Sequence, residues 1–574
     1  MKVADFIVHF FENKNIDTLF TIPGGGCIFL TEAFGNSTKI ESVVNHHEQA
    51  SALSAEGYSR TKNSLGLCLV TSGPGGSNAW TGTLCSYQDS VPVFVLSGNV
   101  NKSLTTNYTN LNLRQLGDQE FDVIKTVKNF TKYAHQVNDP TEIKYHLEKA
   151  YYLATSGRPG PVWLDIPLDI QIADIDPKTL IGYIIEKEII SSDDIDIVID
   201  KLKSAKKPLI IAGHGIKLSH SEHILDQLLE KYKIPVVTSF NGNDSVSNEY
   251  EYYCGRFGTH AQIAANNLIQ EADFILSLGS RLYVRQIGYN FDDFGKNAYK
   301  VYVDIDKDEL DKPTLRPDLK IHMCVNDFIK KITNKISLPD ISEWREYCKT
   351  KYQLSPTVLD RHRNDESFSV YAAIEKLNNF MKTDLPVVTS DGSANIVGMQ
   401  VLKLKKGQRL FSNKSTAPMG YGLPASIGAC YANNKQPILC LEGDGSLHMN
   451  IHELQVMKQN KLPIKILLIN NDGYLSIKIT QKMFCNKLCL SNTNSGLTLP
   501  DYKKISDAYG IEYLSARSLT EFGTKLDYFF NSNQPLIFEI FVNPNELHEP
   551  KVMAKIVGGK FIPGSLENIE WKKI

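Results

Sequence analysis

The sequence has almost no excess charge of either sign: 62 Lys and Arg stand against 64 Asp and Glu, a net of −2. That balance excludes a bulk electrostatic pull on nucleic acid or on an anionic membrane surface. No run of about 18 uninterrupted apolar residues occurs, so nothing reads as a membrane-crossing helix. Clustered cysteine is lacking too. The ten, at 27, 68, 85, 254, 324, 348, 430, 440, 485 and 489, are scattered. The nearest pair, Cys485 and Cys489, has no second pair or His cluster beside it, so the cysteines give no sign of a structural zinc site. Cys68 in LGLCLV and Cys440 in PILCLEG read as small buried hydrophobes kept reduced, and the expected location is cytoplasmic. The opening MKVADFIVHFFENKNID is broken by Asp5, His9 and Glu12, so it reads as an amphipathic helix and not as a signal peptide. Short repeats and low-complexity tracts are also missing.

What remains is 574 residues of ordinary composition, 42% hydrophobic and 22% charged, enough for three or four folded domains at about 150 residues each. Apolar β-rich runs alternate with helical patterns throughout. The first set is 65–73, 91–99 and 160–169. The second is 208–215, 234–239, 273–280 and 300–306, and the third is 384–393, 437–446, 463–473 and 534–542. Nearly continuous apolar strands separated by helices predict parallel sheets covered on both faces. The fold class is therefore α/β, three doubly wound domains, with charged linkers at roughly 172–200 and 340–368.

Ligands in such sheets gather beyond the carboxyl ends of the strands. Three strand ends are rich in glycine and polar residues: TSGPGGSN (71–78), EGDGS (442–446) and NNDGY (470–474). Each alone reads as a strand followed by a turn; the combination points to a site. Asp444 and Asn471 end successive predicted strands, and Asn450 with Glu453 reads as a capping box on the helix between them. The two ends therefore meet at the top of neighbouring strands. A carboxylate, an amide oxygen and a backbone carbonyl suit a hard cation such as Mg2+, with phosphate oxygens and water completing its shell. Gly445 removes a side chain where phosphate must approach the backbone.

The span Gly443-Asp444-Gly445 through Asn471 to Gly473 resembles the thiamine-diphosphate-binding signature. By that resemblance, Asp444, the Asn471 side chain and the Gly473 carbonyl hold Mg2+ against the cofactor diphosphate. Gly392, Ser393 and Ala394 would line the same pocket, with Ser446 and Tyr474 beside it. HHEQASALSAEGYSR (46–60), followed by TSGPGGSN, resembles the pyrimidine-binding domain of acetolactate synthases and their relatives. The resemblance implies that Glu48 hydrogen-bonds N1′ of the aminopyrimidine and favours the imino tautomer, whose 4′ nitrogen removes the thiazolium C2 proton. Apolar surroundings strengthen such a bond. Pro23, Gly24 and Gly25 of IPGGG, with Gly73 and Asn78, are expected around the same ring. Met419 in APMGYGLPASIG matches the hydrophobe that bends the cofactor. Gln119 in GDQEFD and Lys132 in FTKYA match two further polar positions of the synthases.

The likeness covers nearly the whole chain. It implies the pyruvate-oxidase-like arrangement: residues 1–170 binding the pyrimidine, 190–340 central, 365–545 binding the diphosphate, and a tail at 546–574. A cofactor shared between subunits is also implied, hence a homodimer or homotetramer. The implied reaction removes CO2 from a 2-oxo acid, pyruvate first, and joins the acyl carbanion to a second carbonyl. One departure matters. Where acetolactate synthases end the segment after Asn-Asn with Gln-Trp-Gln, this chain reads NNDGYLSIKITQ, with Thr480 in the Trp position. That pattern is similar to a branch found in bacterial polysaccharide pathways, whose members include enzymes that acylate nucleotide-linked keto-sugars, and the tail also departs from the synthases. Simple 2-oxo acid decarboxylation is the remaining alternative. In the middle domain Gly213, Gly215, Arg281, Arg285, Asp304 and Asp306, in GHG, GSRLYVRQIG and DID, resemble the flavin-binding residues of the synthases, and FAD is the expected third cofactor, in a structural role.

Overall fold

The computed structural model describes residues 1–109, 111–185, 194–364, 367–485, 487–552, 555–558, 560–562 and 564–570. The portions of the expected linkers at 186–193 and 365–366, and parts of the tail, lie outside the described residues. Three six-stranded sheets dominate, each parallel throughout and each flanked by helices. Strands such as Gly66–Val70, Val93–Asn99 and Ile464–Asn470 are buried almost end to end, as strands covered on both faces must be.

The first sheet runs, across its width, Glu41–Val44, Thr18–Thr21, Gly66–Val70, Val93–Asn99, Val162–Pro167 and Tyr133–Gln136. In order of appearance this is 2-1-3-4-6-5. The third sheet, Leu410–Phe411, Val387–Thr389, Ile438–Gly443, Ile464–Asn470, Leu536–Phe541 and Glu512–Ala516, repeats that order. The middle sheet does not. Its strands lie in the order 6-5-4-1-2-3, the arrangement of dinucleotide-binding folds. Part of the expected linker at 340–368 belongs to this middle domain: helix Ser342–Gln353 buries Trp344 and Cys348, and the Trp344 indole donates to the Pro208 carbonyl at 3.0 Å. That helix was missed because its apolar residues are few and spread among charges.

The first and third domains meet along two helices, Glu48–Lys62 and Gly422–Ala432. Both are built from small residues, and the backbones touch. A Cβ on Gly57 would lie 2.1 Å from the Ala425 carbonyl oxygen, and one on Gly428 would lie 1.8 Å from that of Ser54. Beside the crossing sits a buried ionic cluster. Arg60 donates to Glu56 (2.7 Å) and Asp89 (2.8 Å), and Asn413 of the third domain donates to Glu56 (3.1 Å). Burial opposes the charge on Asp89, but Arg60, the Ser415 hydroxyl and the Lys414 amide hold its carboxyl below the usual range. The middle domain is tied in by Arg281, which donates to the Gln88 carbonyl (2.7 Å) and the Ser415 hydroxyl (2.9 Å). The tail ties it again: strand Lys551–Val552 pairs with Ile569–Glu570, and Leu566 and Ile569 enter the middle domain's core.

Gly428→Ala should therefore force the crossing apart and lower the chain's resistance to denaturant by about 1–3 kcal/mol, the usual cost of overpacking. Gly35→Ala, where nothing lies within 4 Å of the added carbon, should leave the unfolding midpoint where it is.

Candidate active site

Each sheet has an interior point where the strand order reverses direction, and loops leaving the two strands there diverge to open a crevice. In the first sheet the reversal lies between Thr18–Thr21 and Gly66–Val70, in the third between Val387–Thr389 and Ile438–Gly443. TSGPGGSN and EGDGS leave two of these strands, and NNDGY leaves Ile464–Asn470, the next strand of the third sheet.

At the first crevice the loops 22–26 and 71–78 interlock. The Gly26 amide donates to Thr71 Oγ1 at 3.0 Å, and a Cβ on Gly24 would strike Thr71 at 2.5 Å, whereas Pro23 and Gly25 face outward. Glu48, first residue of its helix and buried, has Oε2 held by the Asn78 amide at 2.9 Å. Its Oε1 lies 3.7 Å from where a Gly75 side chain would start. Gly73 adopts φ +61°, and the Gln119 carbonyl passes 2.6 Å from its missing Cβ. The structure thus brings Gly24, Glu48, Gly73, Asn78 and Gln119 together. Lys132 is elsewhere: its ammonium donates to the Ser156 carbonyl at 2.8 Å, facing the middle domain, and burial with Arg158 nearby pulls it down to about 8.

At the third crevice Asp444, 2% exposed, is wholly enclosed by amides. Oδ1 accepts from Gly445 N (2.7 Å), while Oδ2 accepts from Asn471 N (3.1 Å) and Gly473 N (2.9 Å). Burial outweighs these donors and raises the carboxyl to about 6. Asn471 donates through Nδ2 to Ser393 Oγ at 3.1 Å, and its Oδ1 is buried with no hydrogen-bond partner among the described residues. Gly473 has φ +102°, and its carbonyl accepts only loosely, from Leu475 N at 3.1 Å. Gly392, φ +78°, has nothing within 4 Å of its missing Cβ, and Gly443 meets only Ser446 at 3.9 Å, so open space lies over both. Ala394 is buried beneath. Ser446 is turned inward, its hydroxyl 2.5 Å from Ser390 Oγ and accepting from Gly420 N at 2.8 Å.

Two local readings gain detail. Gly445 is also required by the Tyr474 ring, whose Cε1 lies 2.3 Å from the added Cβ position. Asn450 and Glu453 form no capping box. Asn450 has non-helical φ −128° and donates to the Gly420 carbonyl (2.7 Å) and Gln49 (3.3 Å), while Glu453 accepts from Asn45 (2.8 Å) and His46 N (2.9 Å). Both side chains reach into the first domain, a pairing more than 400 residues apart that no local pattern reveals. Asn450 carries a hydrogen-bonded path from Gln49, beside Glu48, through Gly420 to Ser446, two residues from Asp444.

Three contributors escaped the sequence reading. His548 of the tail meets Ser393 Oγ at 2.9 Å, and burial drops its imidazole to about 3. Lys478 donates to the carbonyls of Asn471 (2.6 Å) and Asp472 (3.0 Å). Tyr502 donates to the Asp444 carbonyl. Met419 is half-buried beside Gly420, and Thr480 is exposed, bonded to the Ser476 carbonyl.

The middle sheet's reversal, between Pro208–Ala212 and Phe274–Leu278, opens a cavity of about 350 Å3. Gly215, Arg281 and Asp304 line it, with Asp89 and Arg158 from the first domain. The other expected flavin residues stand apart. Gly213 is pressed under Gly279, whose carbonyl oxygen would lie 2.2 Å from an added Cβ. Asp306 is committed to Arg158 at 2.9 Å, and Arg285 is exposed on a different face.

Family models match this layout in chain order. The N-terminal TPP binding domain of thiamine pyrophosphate enzymes matches residues 1–125, the central domain 195–332 and the C-terminal TPP binding domain 391–540. The chain is a thiamine pyrophosphate enzyme. Similar proteins include the acetolactate synthase large subunit of Lactococcus lactis, 28% identical over 97% of this chain and 96% of the relative. Acetolactate synthase isozyme 2 of Escherichia coli is 28% identical over 95% and 96%, and the large subunit of Pyropia yezoensis 29% over 93% and 90%. The resemblance carried by Gly-Asp-Gly and Asn-Asn is thereby upheld, as is the three-domain α/β fold. Among the described residues no helix of the enzyme is long and apolar enough to cross a membrane.

Asp444→Ala should leave three amides without an acceptor and destabilise the cofactor-free enzyme by about 1–3 kcal/mol, the cost of stranding buried donors. Chemical unfolding of the metal-free protein measures this apart from activity.

Proposed function

We propose that the enzyme decarboxylates a 2-oxo acid, pyruvate first, and transfers the acyl carbanion to an acceptor carbonyl. The observation that carries this reading is the orphaned Asn471 Oδ1 beside Asp444, a buried acceptor that a cation would satisfy. Asp444, Asn471 Oδ1 and the Gly473 carbonyl supply the oxygen set that Mg2+ takes. The open space over Gly392 and Gly443 is room for a diphosphate, with Ser393 and His548 orienting Asn471. Bound thiamine diphosphate supplies the carbon nucleophile and the electron sink that let CO2 leave. Glu48, its Oε2 fixed by Asn78, directs Oε1 to hold a proton at the pyrimidine N1′. Met419 and Gly73 shape the walls, and Gln119 faces the reacting carbonyls.

A specific observation favours an acceptor more highly charged than a 2-oxo acid. Thr259 N donates to the Arg285 carbonyl (2.8 Å) and Val552 N to the Thr259 carbonyl (2.9 Å), which sets Arg285, His260 and Lys551 side by side. Lys414 adjoins them, bonded to Asn395 and 4.6 Å from the Phe240 ring centroid. Burial lowers the Lys414 ammonium to about 8, with Asp391 the acid beside it. Three cations, Arg285, Lys414 and Lys551, exceed what one carboxylate needs and would suit a nucleotide's diphosphate. Acyl transfer to a nucleotide-activated keto-sugar is therefore the second reading, and the absence of an indole at Thr480 leaves room for it.

Two further components complete the proposal. FAD, in a structural role, would place its dinucleotide in the middle cavity against Arg281 and Asp304. Its 350 Å3 lies near the lower end of the roughly 300–1,000 Å3 that ligand sites span, enough for part of the molecule. A homodimer would cover the exposed Met449, Ile477, Phe484 and Leu490 near the third crevice and Leu104, Tyr108 and Leu111 before Gln119.

Glu48→Gln should retain cofactor binding and lose catalysed exchange of the thiazolium C2 proton for deuterium; normal exchange would remove Glu48 from its role. Mass spectrometry of products from pyruvate alone, then with nucleotide keto-sugars, separates the readings. Acetolactate at a useful rate from pyruvate alone defeats the sugar acceptor, a branched sugar nucleotide supports it, and acetaldehyde as sole product defeats carboligation. Visible flavin absorbance should persist through gel filtration after loading with FAD and fall in Asp304→Ala. Sedimentation should show a dimer, and a fully active monomer would overturn the shared site.

A further inference from the structure

Far from the three crevices, at the outer edge of the first sheet, two histidines and a glutamate converge. His135 lies on the edge strand Tyr133–Gln136; Glu142 immediately precedes helix Ile143–Thr155, and His146 follows one turn later on the same face. His146 Nε2 is 3.6 Å from Glu142 Oε2, and the His135 ring stacks on that of His146 with centroids 3.9 Å apart. One ligand atom from each of the three falls within 4.8 Å of the others. His146 Nδ1 is taken by the Tyr133 hydroxyl at 2.7 Å, which leaves Nε2 to face the glutamate.

We propose that His135, Glu142 and His146 form a site for one borderline transition-metal dication, Zn2+ or Co2+, that clamps the edge strand to the helix. Two imidazoles and a carboxylate are the donor set such ions select, whereas Mg2+ prefers oxygen alone. With metal–ligand bonds near 2.1 Å, tetrahedral ligands stand about 3.3–3.5 Å apart; the His146–Glu142 pair is already close to that, and His135 completes the set by turning its ring out of the stack on His146. Glu142, its side chain 58% exposed, opens the site to solvent, from which the ion enters and a water can fill the fourth position. On coordination the Nδ1 proton of His146 donates to the Tyr133 oxygen, the outer contact that orients a ligating histidine. Lys149 is the neighbouring cation, its ammonium 5.0 Å from the Tyr133 ring centroid and 3.4 Å from the Tyr145 hydroxyl. Its charge limits the affinity.

The test uses the full chain saturated with thiamine diphosphate and Mg2+. Titration with Co2+ should give the intense visible spectrum of a four-coordinate ion, and calorimetry with Zn2+ should give one equivalent per chain. Glu142→Gln, a change at the surface, and His135→Ala should each weaken Zn2+ binding by at least about tenfold. The exposed Cys485 and Cys489 are the alternative soft ligands, so the Cys485→Ser, Cys489→Ser double variant must bind as the natural chain does. Binding lost in that double variant, or unchanged in both Glu142→Gln and His135→Ala, overturns the site. If His135→Ala fails to fold, Glu142→Gln carries the decision alone.

Discussion

Two helices, Glu48–Lys62 and Gly422–Ala432, cross so closely that side chains cannot stand between them, and the joint between the first and third domains depends on that approach. Interhelical distance is set by the residues at the contact. Gly57 and Gly428 each abut a carbonyl of the opposite helix, so the two sheets keep a fixed spacing and the loops at their ends stay in register. At one end of the crossing lies the Arg60–Glu56–Asp89 cluster, at the other the path from Gln49 through Asn450 and Gly420 to Ser446. The cluster is costly to desolvate and cannot tolerate loss of one member, which makes it a better fixer of geometry than a source of stability.

The same economy appears in the sheets. Each reverses its strand order at an interior point, and each of those reversals carries glycine-rich loops. Two reversals lie in the domains that match TPP binding domains; the third, in a sheet of different order, opens a separate cavity. Glycine is used for distinct ends at these places: at Gly213 and Gly428 to let backbones meet, at Gly445 to admit the Tyr474 ring, at Gly392 to leave space unfilled.

Much of this was legible in sequence because it is carried by local signals. Every apolar run read as a strand forms one, since a strand buried on both faces must be apolar along its length. The edge strands Glu41–Val44, Tyr133–Gln136, Tyr253–Arg256, Leu319–His322, Leu410–Phe411 and Glu512–Ala516 went unread because they are short and several are half-exposed, which dilutes the apolar run. Asp444, Asn471 and Gly473 were legible through spacing. Lys478, Tyr502 and His548 were not, because each acts on a backbone carbonyl or on another side chain and leaves no motif. Arg285 and Asp306 show the opposite failure: their spacing was right for a flavin site, but the fold spends Asp306 on Arg158 and turns Arg285 toward the tail.

That tail has a consequence for how the molecule is made. Ser393 waits for His548, 155 residues later in the chain, and Asn266 of the middle domain waits for the Leu566 carbonyl, 300 residues later. Contacts so distant form slowly, since the chain must close a long loop before they repay it. On the ribosome, where domains fold in the order they emerge, the two earlier sheets can be complete while the pocket at the third crevice still lacks the histidine that meets Ser393 beside Asn471. Synthesis thus delays assembly of the pocket until the last segments have emerged.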